Sequence, residues 1–130
     1  MNSTNKNVSM ELNVFGDQLE VCSCNPQTGW FRDGLCRSDL NDRGNHIICC
    51  VMDDNFLNYS KSQGNDLITP IPLYSFPGLK NGDHWCICLD RWKQAYVDGL
   101  APLVKLESTN INVLSSISLN ELKKYQFINK

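Results

Sequence analysis

Near residue 53 the pattern of hydrophobic residues changes from one typical of a buried strand to one typical of a helix. The segment HIICCVM, residues 46–52, is apolar at both alternating sets of positions, as in a strand that is covered on both faces. In the next segment, DDNFLNYSKSQG, Asp53 or Asp54 can cap the first turn of a helix, and Gly64 can adopt the left-handed conformation that ends it. The pattern therefore predicts a central buried strand followed by a short helix.

A longer helix is predicted between Asp83 and Gly99, which have the residue types of an N-cap and of a helix end. The positions that would share its apolar face are Trp85, Cys88, Leu89, Trp92, Ala95 and Tyr96. On this helix Cys88 belongs to the core and Cys86 points away from it, because two helical positions differ by about 200°. Cys86 would lie in the electropositive first turn, which makes it the candidate catalytic thiol; the alternative is a partly exposed thiol without a role.

The remaining helices and strands are predicted from shorter sequence patterns. Residues 14–24 suggest a strand that a Gly-Asp turn interrupts, and residues 101–107 suggest another strand. A capping box from Ser118 to Glu121 opens a C-terminal helix. The order of these elements predicts an α+β domain with a mixed sheet, a central buried strand and about three helices.

Residues 66–83 form a long proline-rich loop. Pro70, Pro72 and Pro77 prevent a helix there and leave few backbone N–H groups for strand pairing. A loop of this length in a small domain is often a binding edge or a lid, so we expect the main concavity beside it. The candidate ligand-binding residues are Arg32, Asp33, Asn65, Asp66, Tyr74, Trp85 and Arg91, with Trp30 and Phe76 in the apolar wall. The alternative is that these polar residues serve only turns, caps and exposed charges.

Length, composition and charge exclude several function classes. A chain of 130 residues, 42% apolar and 20% charged, suits one globular domain, with residues 1–12 as a flexible tail and residues 13–130 as the domain. A net charge of -2 does not attract nucleic acid or an anionic membrane, and no apolar run has the length of a membrane span or a signal-peptide core. We therefore expect a cytoplasmic protein without a nucleic-acid or membrane partner. The familiar hydrolase and nucleotide-binding motifs are absent from the sequence.

Seven cysteines are the most chemically suggestive feature of the sequence. Cytosolic thiols are kept reduced, so we expect no native disulfide. Zinc binds thiolate and imidazole groups in tetrahedral sets, and the candidate metal ligands are Cys22, Cys36, Cys49 and His46. The chain has no closely spaced C-x₂₋₄-C pair, and free cysteines also pack in cores as small hydrophobic residues. A thiol-centred site, either metal-binding or reactive, is the leading functional hypothesis, and a small-ligand cleft at the proline-rich loop is the alternative.

Four segments resemble a known family in their order and spacing: LEVCSCNPQTGWFRDGLC, GNHIICCVM, FLNYSKSQGNDLITPIPLYSFPGLKNGDHWCICLDRW and GLAPLVKLEST. They are similar to the small bacterial family catalogued as domain of unknown function 2237, and the resemblance extends from residue 13 to about residue 125. It implies recurring thiols rather than a particular reaction, and these fall on Cys22, Cys36, Cys49, Cys86 and Cys88, with a histidine at His46. Where the family typically has a later histidine, this chain has Asn110.

Overall fold

The computed structural model describes residues 11–128, in which three helices and a three-stranded sheet are joined by long irregular segments. The strands are β1 (His46–Val51), β2 (His84–Cys88) and β3 (Leu103–Val104). The helices are α1 (Asp54–Ser62), α2 (Leu89–Val97) and α3 (Leu119–Lys123), and short 3₁₀ segments lie at Pro72–Tyr74, Leu106–Ser108 and Ile111–Ser115. No helix within residues 11–128 is long and apolar enough to cross a membrane. The predicted α+β class is confirmed.

The central strand of the sheet is β1, as the sequence predicts. Its four middle residues are buried, and it lies between β2 and β3. Both neighbours pair with it in the antiparallel direction, with Cys49 opposite Cys86 and Cys50 opposite Val104. The three-stranded sheet is therefore antiparallel rather than mixed, and a parallel pairing occurs only in an isolated bridge between Val104 and Gln126 among the described residues.

The prediction that a helix begins after Asp83 is wrong for its first five residues. Residues 84–88 form β2 instead, and α2 begins at Leu89. An apolar run this short fits the spacing of a helix or of a strand, and pairing with β1 satisfies its backbone N–H and C=O groups. Cys86 is consequently buried in the middle of a strand, whereas Cys88, at the end of that strand, is partly exposed. The roles expected for these two thiols are therefore reversed, and Cys86 is the interior residue.

Helix α2 packs into the core through Trp92, which is fully buried. The Trp92 ring stacks on the Tyr96 ring with 5.4 Å between their centroids, and its Nε1 donates a hydrogen bond to the Pro102 carbonyl at 3.1 Å. Leu89 and Ala95 are buried on the same helix. This part of the predicted apolar face is confirmed.

Residues 11–45 contain turns and isolated bridges, and the strand predicted at residues 14–24 does not form. The buried Asn13 side chain organises this segment instead. Its Oδ1 accepts a hydrogen bond from the Phe15 N–H at 2.9 Å, and its Nδ2 donates to the Glu107 carbonyl at 3.1 Å. An asparagine that bonds to nearby backbone groups stabilises a turn, so the segment is held by side chains rather than by strand pairing.

Glu11, which lies within the tail predicted for residues 1–12, makes several contacts with the domain. Residues 1–10 of the predicted tail lie outside the described residues. Glu11 Oε1 accepts hydrogen bonds from the Ser38 N–H at 2.9 Å and from Asn110 Nδ2 at 2.8 Å, and its Oε2 lies 3.4 Å from Arg37 Nε. The contacts of the folded domain therefore begin no later than residue 11.

The predicted capping of α1 falls on Asp53, whose Oδ1 accepts a hydrogen bond from the Phe56 N–H at 2.7 Å. Asp53→Ala should lower the free energy of unfolding by about 1 kcal/mol, because a backbone N–H in the first turn loses its partner. Asp54→Ala is the matched control, since Asp54 is exposed and contributes a charge to the first turn, worth about 0.5 kcal/mol. Urea unfolding of both variants measures the difference, and a larger loss for Asp54→Ala would contradict the capping assignment.

Candidate functional site

Four buried cysteines form a cluster that is separate from the main hydrophobic core. They are joined in two disulfides, Cys22–Cys49 and Cys36–Cys86, with Cα–Cα distances of 5.8 and 5.4 Å. The prediction that no disulfide forms is therefore wrong for these four, because the irregular segment before β1 packs its two cysteines against the two that strand pairing places side by side. Cys86, the candidate catalytic thiol, is half of a disulfide rather than a free thiol at a helix start. The free cysteines are Cys24, Cys50 and Cys88.

The pairing of β1 with β2 places two members of this cysteine cluster. Cys49 and Cys86 are directly opposite each other in the register, so their side chains lie on the same face of the sheet. The next residue, Cys50, projects from the other face into the main core. Burial there, together with the negative charge of Asp53, raises the pKa of the Cys50 thiol well above its ordinary value. Cys50 is therefore an inert core residue outside the cluster.

The other two members come from the irregular segment before β1. The Cys22 N–H donates to the Gly34 carbonyl at 2.7 Å, and Gly34 has a φ of +90°, which glycine adopts without strain. The Cys36 carbonyl accepts a hydrogen bond from Asn110 Nδ2 at 3.2 Å. Asn110 stands where the resemblance led us to look for a histidine, and here it fixes the backbone of Cys36 rather than offering a base to a thiol.

Two buried threonines complete the cluster, and the sequence reasoning missed both. The Cys49 N–H donates to Thr109 Oγ1 at 3.1 Å, and the Cys86 N–H donates to Thr28 Oγ1 at 2.9 Å. These N–H groups point away from each other, as they do in a non-hydrogen-bonded pair of an antiparallel sheet. The sequence signal for them is weak, because only the register of β1 with β2 shows that both N–H groups need acceptors from elsewhere in the chain.

The predicted metal ligands are only partly brought together. The sulfur atoms of the three cysteine candidates lie in the interior, within 4.8 Å of one another. His46 does not join them, because its Nδ1 lies 2.8 Å from Asp42 Oδ1 and its side chain is partly exposed. The fourth sulfur of the cluster belongs to Cys86, through its bond to Cys36.

A cavity of about 260 Å³, called here the loop cavity, opens between the proline-rich loop and the segment before β1. Its aromatic lining residues are Trp30, Tyr74, Phe76 and Trp85, and its polar ones are Arg32, His46, Asn65 and Asp66. The concavity predicted beside this loop is therefore present. Cys86 also lines the loop cavity, so the cavity adjoins the Cys36–Cys86 disulfide.

The loop cavity contains most of the candidate ligand-binding residues, namely Arg32, Asn65, Asp66, Tyr74 and Trp85. The other two candidates make local contacts instead. Asp33 Oδ2 accepts a hydrogen bond from Arg37 Nη1 at 2.6 Å, and Arg91 Nη1 donates to the Gln63 carbonyl at 3.1 Å. The structure thus places five of the seven candidates around one cavity, and ligand binding by these five stays a prediction.

The loop cavity carries charges of both signs. The Thr69 hydroxyl, with two backbone N–H groups, donates hydrogen bonds to the Asp66 carboxylate and lowers the pKa of Asp66, which is therefore ionised at neutral pH. Arg32 lies over the Trp85 ring at 5.3 Å from its centroid, and its Nη1 donates to the Gly29 carbonyl at 2.7 Å. The cavity therefore presents a carboxylate and a guanidinium beside an aromatic surface.

Comparison with known proteins finds one family model. It is described as an uncharacterized protein conserved in bacteria, domain of unknown function 2237, and it matches residues 12–126. This span includes the four cysteines of the cluster and all residues that line the loop cavity. No curated protein matches the chain.

Peptide mapping of the oxidised protein, with free thiols alkylated under denaturing conditions, should recover Cys22 linked to Cys49 and Cys36 linked to Cys86. The double variant Cys36→Ala/Cys86→Ala should lose about 4 kcal/mol of unfolding free energy, because that bond spans 50 residues and restricts the unfolded chain. Cys24→Ala is the control, since Cys24 is exposed and unpaired and its removal should leave stability unchanged. Recovery of a Cys22–Cys36 peptide as the main species would contradict the assigned pairing.

Proposed function

We propose that this chain, which belongs to the bacterial family of domain of unknown function 2237, is a thiol–disulfide exchange domain for a small molecule that enters the loop cavity. One observation carries the proposal: Cys86 lines the loop cavity and is disulfide-bonded to Cys36. Cys86 is only 1% exposed, and the loop cavity is the open space that it lines, so we take the cavity as the route by which a reactant reaches it. The cavity then selects the reactant by size, and the disulfide exchanges electrons with it.

The proposed reaction transfers two electrons. A small thiol, RSH, attacks the Cys86 sulfur as its thiolate and forms a mixed disulfide, while Cys36 leaves and takes up the proton that RSH lost. A second RSH attacks the R-side sulfur of the mixed disulfide, which releases RSSR and leaves Cys86 as a thiol. Two RSH and one protein disulfide therefore give one RSSR and two protein thiols. In the reverse direction the two protein thiols reduce RSSR.

The second disulfide, Cys22–Cys49, can exchange with the first. The Cys36 sulfur lies within 4.8 Å of the sulfur atoms of both Cys22 and Cys49. Once Cys36 has been released as a thiolate, a side-chain rotation brings it against the Cys22–Cys49 bond, which it can attack by the same exchange chemistry. Two disulfides in one buried cluster can thus pass electrons between them, which two distant structural bridges could not do.

The predicted compartment favours a reactive role for the same bonds. Cytoplasmic disulfides are usually transient, catalytic or redox-sensing, because glutathione and thioredoxin keep thiols reduced. If the chain is cytoplasmic, as its sequence predicts, a permanent cross-link is the less favoured role for the cluster. The partner in the proposed reaction is a small thiol or disulfide.

The test measures how fast dithiothreitol reduces each disulfide in the folded protein. Samples are quenched with N-ethylmaleimide, and peptide mass spectrometry follows the two bonds separately. Ile71→Trp, a substitution in the cavity lining, should slow reduction of Cys36–Cys86 by about tenfold or more, because exchange rates depend on access to the attacked sulfur. Leu73→Trp is the matched control, since Leu73 lies two residues away, is 85% exposed and does not line the cavity.

Two outcomes would count against the exchange function. One is that both disulfides resist dithiothreitol until the protein unfolds, which would make them structural. The other is that Leu73→Trp slows reduction as much as Ile71→Trp, which would show that the loop cavity is not the route to Cys86.

A second candidate function is reversible binding of a small zwitterion in the loop cavity without exchange. The specific observation in its favour is that the cavity lining contains both an ionised Asp66 and Arg32 beside the aromatic residues. A carboxylate recognises an ammonium group, a guanidinium recognises a carboxylate, and an aromatic wall covers an apolar side chain. A small amino acid therefore fits the chemistry of this cavity.

Isothermal titration calorimetry with sulfur-free probes tests the second candidate. L-Phenylalanine should bind, while phenethylamine and 3-phenylpropionate, which each lack one charged group, should bind about tenfold more weakly or not at all. Arg32→Gln should remove the preference for the carboxylate, whereas Arg91→Gln should not, because Arg91 lies outside the cavity lining. Equal affinity for the three probes, or binding of none, would exclude recognition of a zwitterion.

A further inference from the structure

We infer that, when both disulfides are reduced, the four sulfur atoms of Cys22, Cys36, Cys49 and Cys86 form a tetrahedral site for one zinc ion. The inference rests on the proposed function in one respect, namely that both bonds can be reduced in the native fold. It differs from the site predicted from the sequence, because Cys86 takes the place of His46. The cluster would then have two cross-linked states, an oxidised state with two disulfides and a reduced state with one metal ion.

Three of the four sulfur atoms lie at distances close to those of such a site. Zinc–sulfur bonds of about 2.3 Å in a tetrahedron separate the sulfur atoms by about 3.8 Å. The sulfur atoms of Cys22, Cys36 and Cys49 already lie within 4.8 Å of one another, and Cys86 is attached to one of them. Cys86 is not within that distance of all three, so its side chain must rotate toward them once its bond to Cys36 is broken.

The ligand set favours zinc over harder metals. All four candidate donors are sulfur atoms, and each of these cysteines is at most 3% exposed. Four thiolates with no water position are typical of a structural zinc site, whereas calcium and magnesium require oxygen ligands. In a buried set of this kind all four coordination positions of the metal ion are filled by the protein, so no position is open to a substrate.

One neighbouring lysine offsets part of the charge of the metal-bound state. Reduction of each disulfide adds two electrons and two protons, so the cluster then holds four thiols, and a zinc ion displaces the four protons. The product carries two net negative charges. Lys105 lies beside it, since its Nζ is 3.1 Å from the carbonyl of Val21, the residue before Cys22, and its N–H donates to the Cys49 carbonyl at 2.8 Å.

The zinc state would preserve the fold that the disulfides hold together. The four cysteines come from three stretches of the chain: two from the irregular segment before β1, one from β1 and one from β2. One metal ion bound to all four joins the same stretches as the two covalent bonds. Oxidation of the zinc state then expels the ion and forms the disulfides, with the oxidant RSSR of the exchange reaction as electron acceptor.

The test uses the full chain reduced with tris(2-carboxyethyl)phosphine, incubated with zinc chloride and freed of excess metal. Elemental analysis should find one zinc per chain, and added oxidised dithiothreitol should release it to a chromogenic chelator as the two disulfides re-form. Cobalt in place of zinc should give the sulfur-to-metal charge-transfer absorption and visible bands of a tetrahedral tetrathiolate. Cys88→Ser is the matched control and should bind like the original chain, because Cys88 lies outside the cluster.

Two variants within the cluster make the result decisive. Cys22→Ser should lose stoichiometric zinc, whereas Cys22→His should retain zinc although it cannot form the Cys22–Cys49 bond, because imidazole is also a zinc ligand. The inference would be overturned if the reduced and folded protein bound no zinc. It would also be overturned if Cys88→Ser lost zinc binding while Cys22→Ser kept it. If dithiothreitol fails to reduce the native disulfides, reduction in urea followed by refolding with zinc still tests the site, so failure of the exchange function and of the metal site can be told apart.

Discussion

The antiparallel pairing of β1 with β2 is the constraint on which the rest of the molecule depends. It sets Cys49 opposite Cys86, and this register alone brings two thiols from distant parts of the sequence onto the same face of the sheet. It also buries the other face of β1 against the main core, where Cys50 lies. A slip of one residue in the register would exchange the two faces and leave Cys50 toward the segment that carries Cys22 and Cys36. The cluster therefore exists only in this register.

The sheet has too few strands to hold the segment before β1 by pairing, so other interactions do this work. Disulfides attach residues 22 and 36 to the two strands, buried threonines receive the strand N–H groups, and Asn13 supplies hydrogen bonds to a turn. These interactions also build one wall of the loop cavity, because Trp30 and Arg32 lie between the two attached cysteines. Disulfides and side-chain hydrogen bonds thus fix the position of the irregular segment. They therefore also fix the wall of the loop cavity that this segment forms.

The parts of the fold that could be predicted are those with a local cause. The apolar run of β1, the Asp53 cap of α1 and the Ser118 cap of α3 depend on residues close in sequence, and each is confirmed. The second half of the predicted capping box does not form, because the Glu121 carboxylate accepts hydrogen bonds from Tyr96 and Lys124 instead. The strand β2 could not be predicted in this way, because its five residues satisfy a helical and an extended spacing equally and only the partner strand decides between them. Cys86 lies in β2, so the wrong assignment of this element also led to the wrong prediction that Cys86 is a reactive thiol and Cys88 a core residue. The cavity residues were found more readily, because prolines exclude regular structure and aromatic residues near an irregular loop need a surface to cover.

The two disulfides interleave along the chain, in the order 22, 36, 49 and 86, so that the loops they close overlap between residues 36 and 49. The part of that stretch before β1 is irregular and carries Leu40, whose side chain is fully exposed, so it has the features of a site where proteases cut a folded domain. A chain cut there would still be one molecule, because both bridges cross the cut and tie the first fragment to the second. In the oxidised protein, cleavage next to the exposed Leu40 is therefore a cut that the covalent topology tolerates.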